Sequence, residues 1–313
     1  MTAHTTAKRR TIHLLISSMS AGGRSVNVGP EVVRILRGGG WAVRVSVTRA
    51  SDDPCQIASA TTEDVIGALG GDGFISAIAR GAHEAGTLFA PIPGGRGNDI
   101  CRALGISPDA SARAKELAEL GFVNEESDEL FASRIRPMDG MWVTTPDGTV
   151  RSLVLGLVSL GLDATANLLA NESMFTSGPI AYGYGAFAAL ATHRPSTVTL
   201  KIDGQERELT GWITSVSNSG RFGGGIRLVP QSDMTDGIME LCHVEYIPLL
   251  KALPIVAKVV GGRSQGHEVI HVEPASSIEI TQPVGMVAMA DGDKVAEIPF
   301  TVTSAPHIVD VLV

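Results

Sequence analysis

Short apolar runs alternate with amphipathic stretches along the first 120 residues of this 313-residue chain. A continuous apolar run predicts a strand buried on both faces, and apolar residues spaced three or four apart predict a helix. The predicted strands are 11–17, 41–48, 65–69 and 88–92, and the predicted helices are 28–36, 57–61, 75–85, 99–104 and 111–120. This alternation predicts a parallel sheet with helices on its faces.

From about residue 131 the chain changes to segments in which apolar and polar residues alternate, as in strands with one buried face. Turns such as Pro146-Asp147-Gly148 and Asp203-Gly204 separate these segments. The predicted strands are 135–142, 150–157, 198–202, 208–217, 237–244, 277–281 and 285–290, with helices near 180–192 and 248–260. The sequence therefore predicts an α/β N-terminal domain followed by a C-terminal antiparallel β-sandwich-like domain.

Two glycine-rich turns follow strands of the predicted parallel sheet. Gly70-Gly71-Asp72-Gly73 comes after residues 65–69, and Pro93-Gly94-Gly95-Arg96-Gly97-Asn98-Asp99 comes after residues 88–92. A glycine turn between a strand and a helix exposes backbone N–H groups to phosphate oxygens. Because the carboxyl ends of parallel strands meet at one edge, we expect a polyphosphate site there. A nucleotide is therefore the first ligand to consider.

Charge and composition restrict the partners and the compartment. A net charge of -8 argues against nucleic acid as a bulk electrostatic partner. Cys55, Cys101 and Cys242 form no metal-ligand or disulfide pattern and are predicted to be reduced thiols. The polar, basic N-terminus has no apolar segment behind it, and the apolar stretch 153–162 is too short to span a bilayer. We predict a cytoplasmic protein that can still touch a membrane surface.

Five motifs occur in a fixed order along the chain. They are Gly70–Gly73, Pro93–Arg102, Gly161-Leu162-Asp163-Ala164, Gly223-Gly224-Gly225 with Asp236-Gly237, and Gly266-His267 with Asp291-Gly292-Asp293. Together they resemble the diacylglycerol kinase catalytic-domain family, which covers bacterial diacylglycerol and related lipid kinases, sphingosine kinases and ceramide kinases. NAD kinases share the architecture. The resemblance implies a nucleotide-binding domain at 10–130, a β-rich lipid domain at 131–300, a strand within 301–313 returning to the first domain, and an active cleft between the domains.

The resemblance also implies a reaction and a set of site residues. The reaction transfers the γ-phosphate of ATP, with Mg²⁺, to a hydroxyl of diacylglycerol or a related lipid, as in phospholipid metabolism. Asp291 is the implied general base. The implied nucleotide-binding residues are Gly70, Gly71, Asp72, Gly73, Gly95, Arg96, Asn98, Thr48 and Arg24. The implied ligands of a structural Mg²⁺ are Asp236, Asp233 and Ile238.

Each of these assignments has a plainer alternative. Asp72 and Asp236 also suit ordinary tight turns, and Asp291-Gly292 also suits a simple hairpin. Asn98 can hold its own loop, and Asp99 can cap the helix that follows it. Thr48 is a common residue at a strand end, and Arg24 can be a solvated surface side chain.

The sequence is less specific about the residues that would contact a lipid substrate or a membrane. The aromatic and apolar residues Tyr182, Tyr184, Phe187 and Leu190 suit either an acyl-chain groove or the core. The segment 248–263, with Lys251, Lys258 and Arg263, suits either an anionic membrane surface or an ordinary packed helix. The family resemblance implies a lipid substrate at the membrane surface, peripheral binding on the inner face of the membrane, and a homodimer.

Four departures from the family pattern keep other functions open. Phe74 and Arg96 replace two threonines that sit beside the phosphates in the family, and Arg96 offers a positive charge instead. Ser76-Ala77 replaces an Asn-Glu pair, and Ser17-Ser18-Met19 lacks the asparagine of the family turn. One alternative is a degenerate kinase fold that binds nucleotide or lipid with little turnover. Another is a kinase for a different alcohol such as NAD, although the chain lacks the T-P-T-G-S-T-A-Y-like segment of NAD kinases. The sequence names neither the acceptor lipid nor the donor nucleotide.

Overall fold

The computed structural model describes residues 8–161, 195–248, 251 and 267–313. The chain divides into two compact units. The first consists of Met1–Met138 with Val309–Val313, and the second is Asp139–Ile308.

A parallel sheet forms the centre of the first unit, as the apolar runs predict. Its order is β2-β1-β3-β4, and each neighbouring pair is parallel. The strands are β1 (Thr11–Ser17), β2 (Ala42–Thr48), β3 (Val65–Gly70) and β4 (Leu88–Pro93). The helices are α1 (Arg24–Gly38), α2 (Pro54–Ser59), α3 (Asp72–Ala85), α4 (Asp99–Ala103), α5 (Ala110–Ala118) and α6 (Glu125–Ser133), and a 3-10 turn (Ser20–Gly22) precedes α1.

The core of this unit explains why the apolar runs become strands. Every residue of β3 is buried, as expected for a strand covered by helices on both faces. Helix α1 buries Val32 and Leu36 against the sheet. Gly29 lets α1 approach closely, because a Cβ at this position would lie 2.9 Å from the Ile16 side chain.

Helix α6 is an element that the apolar pattern does not predict. Ser127 is the only buried residue of this helix, so its apolar positions give little periodic signal. Its start is nevertheless encoded locally. The Asn124 side chain accepts a hydrogen bond from the Ser127 N–H at 2.9 Å, and the Ser127 hydroxyl accepts one from the Asn124 N–H at 3.1 Å. This reciprocal pair is a capping box, a sequence signal for a helix start.

The second unit is an antiparallel β-rich domain, which confirms the predicted fold class. Its strands lie in the order β16-β15-β7-β9-β8-β14-β17, with β12 between β9 and β13, β5 between β17 and β6, and a separate β10-β11 pair. They are β5 (Ile135–Thr144), β6 (Arg151–Val154), β7 (Leu157–Gly161), β8 (Ser196–Ile202), β9 (Gln205–Ser217), β10 (Arg221–Phe222), β11 (Ile226–Arg227), β12 (Met239–Glu245), β13 (Ile270–Ala275), β14 (Ser277–Gln282), β15 (Val287–Ala290), β16 (Asp293–Glu297) and β17 (Phe300–Leu312).

Strand β17 serves both units. Its first part pairs with β14 in antiparallel register from Phe300 to Thr303. Near its end Val311 pairs in parallel with Phe89 of β4. The chain therefore returns to the first sheet at its C-terminus.

One predicted strand is wrong. The pattern predicts a single strand over residues 150–157, but the structure breaks it into β6 and β7 at Leu155 and Gly156. The carbonyl oxygens of these two residues accept hydrogen bonds from Asn218 instead of continuing a ladder. The break therefore coincides with hydrogen bonds from residues far away in sequence.

Several predictions from the sequence concern residues that the structure does not describe. The helix 180–192, the residues Tyr182, Tyr184, Phe187 and Leu190, the motif residues 162–164, and Lys258 and Arg263 lie outside the described residues. The helix 248–260 does so too, apart from Pro248 and Lys251. Among the helices that are described, none has both the length and the apolar character needed to cross a bilayer.

Arg113 of α5 is a buried arginine that fastens the end of the chain to the first sheet. Only 1% of it is exposed, and its Nε donates to the Pro91 carbonyl at 3.3 Å while its Nη2 donates to the Leu312 carbonyl. We expect Arg113→Met to lower the free energy of unfolding by about 3 kcal/mol, because two buried carbonyl oxygens lose their donors. Urea denaturation measures this.

The control for that prediction is an arginine with an exposed ion pair. The Arg80 Nε donates to the Glu84 carboxylate at 3.0 Å, one turn along α3. Both side chains are more than a third exposed. Arg80→Met should change the free energy of unfolding by less than about 1 kcal/mol. Equal losses in the two variants would contradict a special role for Arg113.

Candidate functional site

Three loops meet at the carboxyl edge of the first sheet, where the sequence predicts a polyphosphate site. The loop after β3 reaches the loop after β1, since the Gly71 N–H donates to the Ser20 hydroxyl at 3.0 Å. It also reaches the loop after β4, since the Gly94 N–H donates to the Gly70 carbonyl at 2.7 Å. The Ser25 hydroxyl closes the group by donating to the Gly94 carbonyl at 3.2 Å.

These contacts leave no space for side chains at two of the glycines. A Cβ on Gly94 would lie 2.2 Å from the Ser25 Oγ and 3.0 Å from the Gly70 nitrogen. A Cβ on Gly95 would lie 2.6 Å from the Gly71 Cα. The loops therefore form a cradle of bare backbone, defined here as Gly70–Gly73 with Gly94 and Gly95.

The start of α3 lies in the cradle and carries the backbone features of an anion site. The first helical hydrogen bond of α3 runs from the Ile75 N–H to the Gly71 carbonyl at 2.9 Å. The N–H groups of Gly73 and Phe74 lie ahead of it, in the turn where a helix leaves its donors unpaired. The positive end of the helix dipole lies at the same point. This combination suits the phosphate oxygens of a nucleotide.

Asp72 and Asn98 hold the loops in place. The Asp72 Oδ1 accepts a hydrogen bond from the Ile100 N–H at 3.0 Å and so caps α4. The Asn98 side chain accepts from the Gly95 N–H at 2.9 Å and donates to the Gly95 carbonyl at 3.3 Å, with its own φ at 54°. The structure thus contains the loop-fixing interactions of both residues, and direct contact of either with a nucleotide stays a prediction.

Two arginines supply positive charge near the cradle. Arg24 is exposed at the first position of α1, and Arg96 is half-buried in the loop after β4. Within the described part of the chain, neither guanidinium has an ion-pair partner. Both are therefore available to phosphate oxygens.

Thr48 is the remaining predicted nucleotide-binding residue, and Phe74 is the residue after the first glycine turn that departs from the family pattern. The ring of Phe74 lies against Gly70, where a Cβ would be 2.3 Å from the Phe74 Cδ1. Phe74 thus contributes packing where the family has a hydroxyl. Thr48 is buried at the end of β2, and its hydroxyl donates to the Ile16 carbonyl at 3.4 Å. The described contacts of Thr48 are those of a strand-end residue.

Asp291 occupies the turn between β15 and β16 in the second unit. Its φ of 50° and the φ of 96° at Gly292 place both residues in the left-handed region, which an Asp-Gly turn tolerates. The Asp291 Oδ1 accepts a hydrogen bond from the Leu157 N–H at 3.2 Å. A Cβ on Gly156 would lie 2.1 Å from that oxygen, so only glycine leaves the carboxylate in its place.

The acidic turn 233–238 also lies in the second unit. The Asp233 Oδ1 accepts from the Thr235 N–H at 3.0 Å, and the Asp236 Oδ1 accepts from the Ile238 N–H at 2.9 Å. Both carboxylates are exposed. Burial raises the pKa of the neighbouring Glu240, and the charges of Asp236 and Asp233 add to this rise. A cation bound at the turn would relieve that repulsion.

The donors of this turn fit Mg²⁺ in kind and fall short in number. Carboxylate and carbonyl oxygens are its preferred ligands, and it often keeps several waters with only one or two carboxylates. Within the described ranges, no three His, Cys, Asp or Glu side chains are placed together to hold a metal ion. A Mg²⁺ ion here would therefore rely on the two carboxylates, backbone carbonyls and water.

Asp139 is a buried residue bonded to the acidic turn, and the sequence pattern missed it. It is 3% exposed, and its carboxylate accepts hydrogen bonds from the Gly237 N–H at 2.5 Å and the His307 N–H at 2.6 Å. Its own N–H donates to the Met234 carbonyl at 2.7 Å. The buried Asp139 thus holds the acidic turn through hydrogen bonds to Met234 and Gly237. A lone aspartate in the apolar sequence Met138-Asp139-Gly140-Met141 is the signal that could have revealed it.

Comparison with known proteins agrees with this arrangement of elements. Residues 11–125 match the model of the diacylglycerol kinase catalytic domain, and residues 156–313 match that of the YegS C-terminal NAD kinase beta sandwich-like domain. The diacylglycerol kinase of Mycobacterium tuberculosis (strain H37Rv) is 24% identical over 289 residues, which cover 91% of this chain and 85% of the relative. That of Bacillus subtilis (strain 168) is 25% identical over 239 residues, covering 74% and 71%.

A solved structure shares the fold. The crystal structure of a diacylglycerol kinase from Bacillus anthracis str. Sterne aligns with a TM-score of 0.73 and 20% identity. The alignment covers 97% of each chain.

Proposed function

This chain belongs to the diacylglycerol kinase catalytic-domain family, and from that premise we propose that it is a lipid kinase that uses ATP and Mg²⁺. The acceptor is a hydroxyl of diacylglycerol or of a similar lipid. The observation that carries the proposal is the cradle of bare backbone, where three loops meet beside the start of α3. Such a cradle suits the phosphates of the donor.

Each group in the proposed reaction has a defined part. The acceptor oxygen forms a bond to the γ-phosphorus, and the bond from that phosphorus to the β–γ bridging oxygen breaks, so that ADP leaves with the electron pair. The hydroxyl proton passes to the Asp291 carboxylate. Because phosphoryl transfer has a loose transition state, the carboxylate mainly orients the hydroxyl. Mg²⁺, when bound, neutralises charge on the phosphate oxygens.

The phosphate side of the proposal rests on backbone and charge. The N–H groups of Gly73 and Phe74 approach the phosphates, and the guanidinium groups of Arg24 and Arg96 balance their negative charge. Arg96 takes over the position of a family threonine, so electrostatic attraction replaces a neutral hydrogen bond there. We propose Asp72 and Asn98 as the residues that keep the loops in register.

Transfer of the labelled γ-phosphate tests the function. The protein is incubated with γ-labelled ATP and Mg²⁺ and, in parallel, with diacylglycerol in mixed micelles, with NAD, or with no acceptor. We expect label in the chloroform-soluble product only with the lipid. Label on NAD would instead favour a kinase for another alcohol. No transfer, with ATP still raising the melting temperature, would favour a nucleotide-binding protein with little turnover.

A separate prediction concerns the acidic turn. We expect Mg²⁺ to raise the free energy of unfolding of the native sequence by about 1–3 kcal/mol at saturation, and Asp236→Asn to remove this rise. The reason is that the substitution takes away one of the two carboxylates that attract the ion. Thermal denaturation with and without Mg²⁺ measures the difference.

The matched control is another exposed aspartate in a turn of the same unit. Asp147 accepts hydrogen bonds from the Thr149 N–H at 3.1 Å and from the Thr145 hydroxyl at 2.6 Å. Asp147→Asn should keep the full response to Mg²⁺. If Asp236→Asn also kept it, the ion would bind elsewhere.

A further inference from the structure

The break between β6 and β7 contacts three residues that are distant in sequence, Asn218, Ser219 and Asp291. On one side, the Leu155 carbonyl accepts from the Asn218 Nδ2 at 2.9 Å, and the Gly156 carbonyl accepts from the Asn218 N–H at 2.9 Å. On the other side, the Leu157 N–H donates to the Asp291 carboxylate at 3.2 Å. Three consecutive residues thus connect Asn218 to Asp291.

The side-chain amide of Asn218 has one possible orientation. Its Nδ2 donates to the Leu155 carbonyl and, at 3.1 Å, to the Asp139 carbonyl. The reversed amide would place its oxygen against two carbonyl oxygens, which repel it. No apolar side chain could supply both hydrogen bonds. Asn218 therefore fixes the break between β6 and β7 and joins it to the residue beneath the acidic turn.

The side-chain oxygen of Asn218 is in an unfavourable environment, which an apolar side chain at this position would avoid. The residue is 1% exposed, and its Oδ1 has no hydrogen-bond partner among the described residues. A buried acceptor without a donor is unfavourable, because it loses its hydration and gains no hydrogen bond in return. Unpaired groups of this kind are uncommon in proteins, and each calls for an explanation.

We infer that Asn218 is a positioning residue for Asp291. Its side chain holds Leu155, and its backbone N–H, together with that of Ser219, holds Gly156. The Leu157 N–H and the space above Gly156 then fix the carboxylate. The inference rests on the proposed function for its kinetic consequence, because Asp291 is the proposed base. Its structural consequence, the hydrogen bond from Leu157 to Asp291, can be measured without any activity.

The first test measures that hydrogen bond directly. In protein labelled with ¹⁵N-leucine, the Leu157 amide should be protected from hydrogen exchange in the native sequence. We expect the protection to fall at least about tenfold in Asn218→Ala and also in Asp291→Ala. Ser215→Ala is the matched control, because Ser215 is 1% exposed on β9 and its hydroxyl likewise has no partner among the described residues. It should leave the Leu157 amide unchanged.

The second test is a double-mutant cycle on kcat. We expect Asn218→Ala to lower kcat about 10- to 100-fold in the native background, with little change in the KM for ATP. In the Asp291→Ala background it should have no further effect, because a residue that acts through another loses its role when the other is removed. An independent structural role would lower kcat by the same factor in both backgrounds. If Asn218→Ala does not fold, Asn218→Ser replaces it in both tests, since its shorter side chain cannot make both donations.

The outcomes separate the two claims. Unchanged protection of the Leu157 amide in the folded Asn218 variant overturns the inference, whatever the activity. Lost protection in a protein that transfers no phosphate supports the positioning of Asp291 and contradicts the proposed function. Lost protection with an equal fall of kcat in both backgrounds overturns the claim that Asn218 acts through Asp291.

Discussion

Asp291→Asn is expected to lower kcat for phosphate transfer to lipid by about 10²- to 10⁴-fold, the usual contribution of a general base. The amide has almost the same shape as the carboxylate but cannot take the proton of the acceptor hydroxyl. ATP should still bind, because the substitution leaves the backbone N–H groups of the glycine cradle and the guanidinium groups of Arg24 and Arg96 unchanged. Initial rates at saturating ATP, with the ATP-induced shift in melting temperature, measure the two effects.

The structure offers a closely matched control for this substitution. Asp203 lies in the turn between β8 and β9, and its φ of 47° before a glycine at 86° nearly repeats the values at Asp291 and Gly292. Its carboxylate accepts a hydrogen bond from the Ser277 N–H at 2.8 Å. Asp203→Asn should change stability in a similar way and leave kcat unchanged. Similar losses of kcat in both variants would mean that Asp291 only supports the fold.

Gly95→Ala is expected to weaken ATP binding by about 10- to 100-fold. A methyl group at this position would lie 2.6 Å from the Gly71 Cα, so the two loops must move apart. Overpacking of this kind costs about 1–3 kcal/mol, and 1.4 kcal/mol corresponds to a tenfold change in Kd. Isothermal titration calorimetry with ATP and Mg²⁺ measures the change.

Gly38→Ala serves as the control for the cradle. Gly38 ends α1, and no heavy atom lies within 4 Å of the position that its Cβ would take. This substitution should leave the Kd for ATP unchanged. ATP binding of native strength in Gly95→Ala would show that the phosphates bind elsewhere.

The sequence predicts the first unit better than the second, for a physical reason. Buried parallel strands are short apolar runs bounded by glycine, and the predicted strand 11–17 coincides with β1. In the second unit, long-range hydrogen bonds override the local pattern. Residues 150–157 look like one strand, but hydrogen bonds from Asn218 and Ser219, more than 60 residues away, accompany the break between β6 and β7. No local pattern contains that information.

The candidate site shows the same limit. The glycine turns predict that the loops converge, and the structure brings them together. The sequence does not say which N–H groups remain available, and those of Gly71 and Gly95 already bond to Ser20 and Asn98. Asp139 and Asn218 were missed because a single polar residue in or beside a strand has no periodic signal. Their role follows only from burial and hydrogen bonding.

The central claim is that this chain moves the γ-phosphate of ATP to a lipid hydroxyl. The most direct measurement is mass spectrometry of diacylglycerol micelles incubated with ATP, Mg²⁺ and either the native sequence or Asp291→Asn. We expect the native protein to convert diacylglycerol into a product heavier by one phosphoryl group, with ADP formed in equal amount. Asp291→Asn should yield almost none. Unchanged lipid with the native protein, under conditions where ATP is bound, would contradict the account.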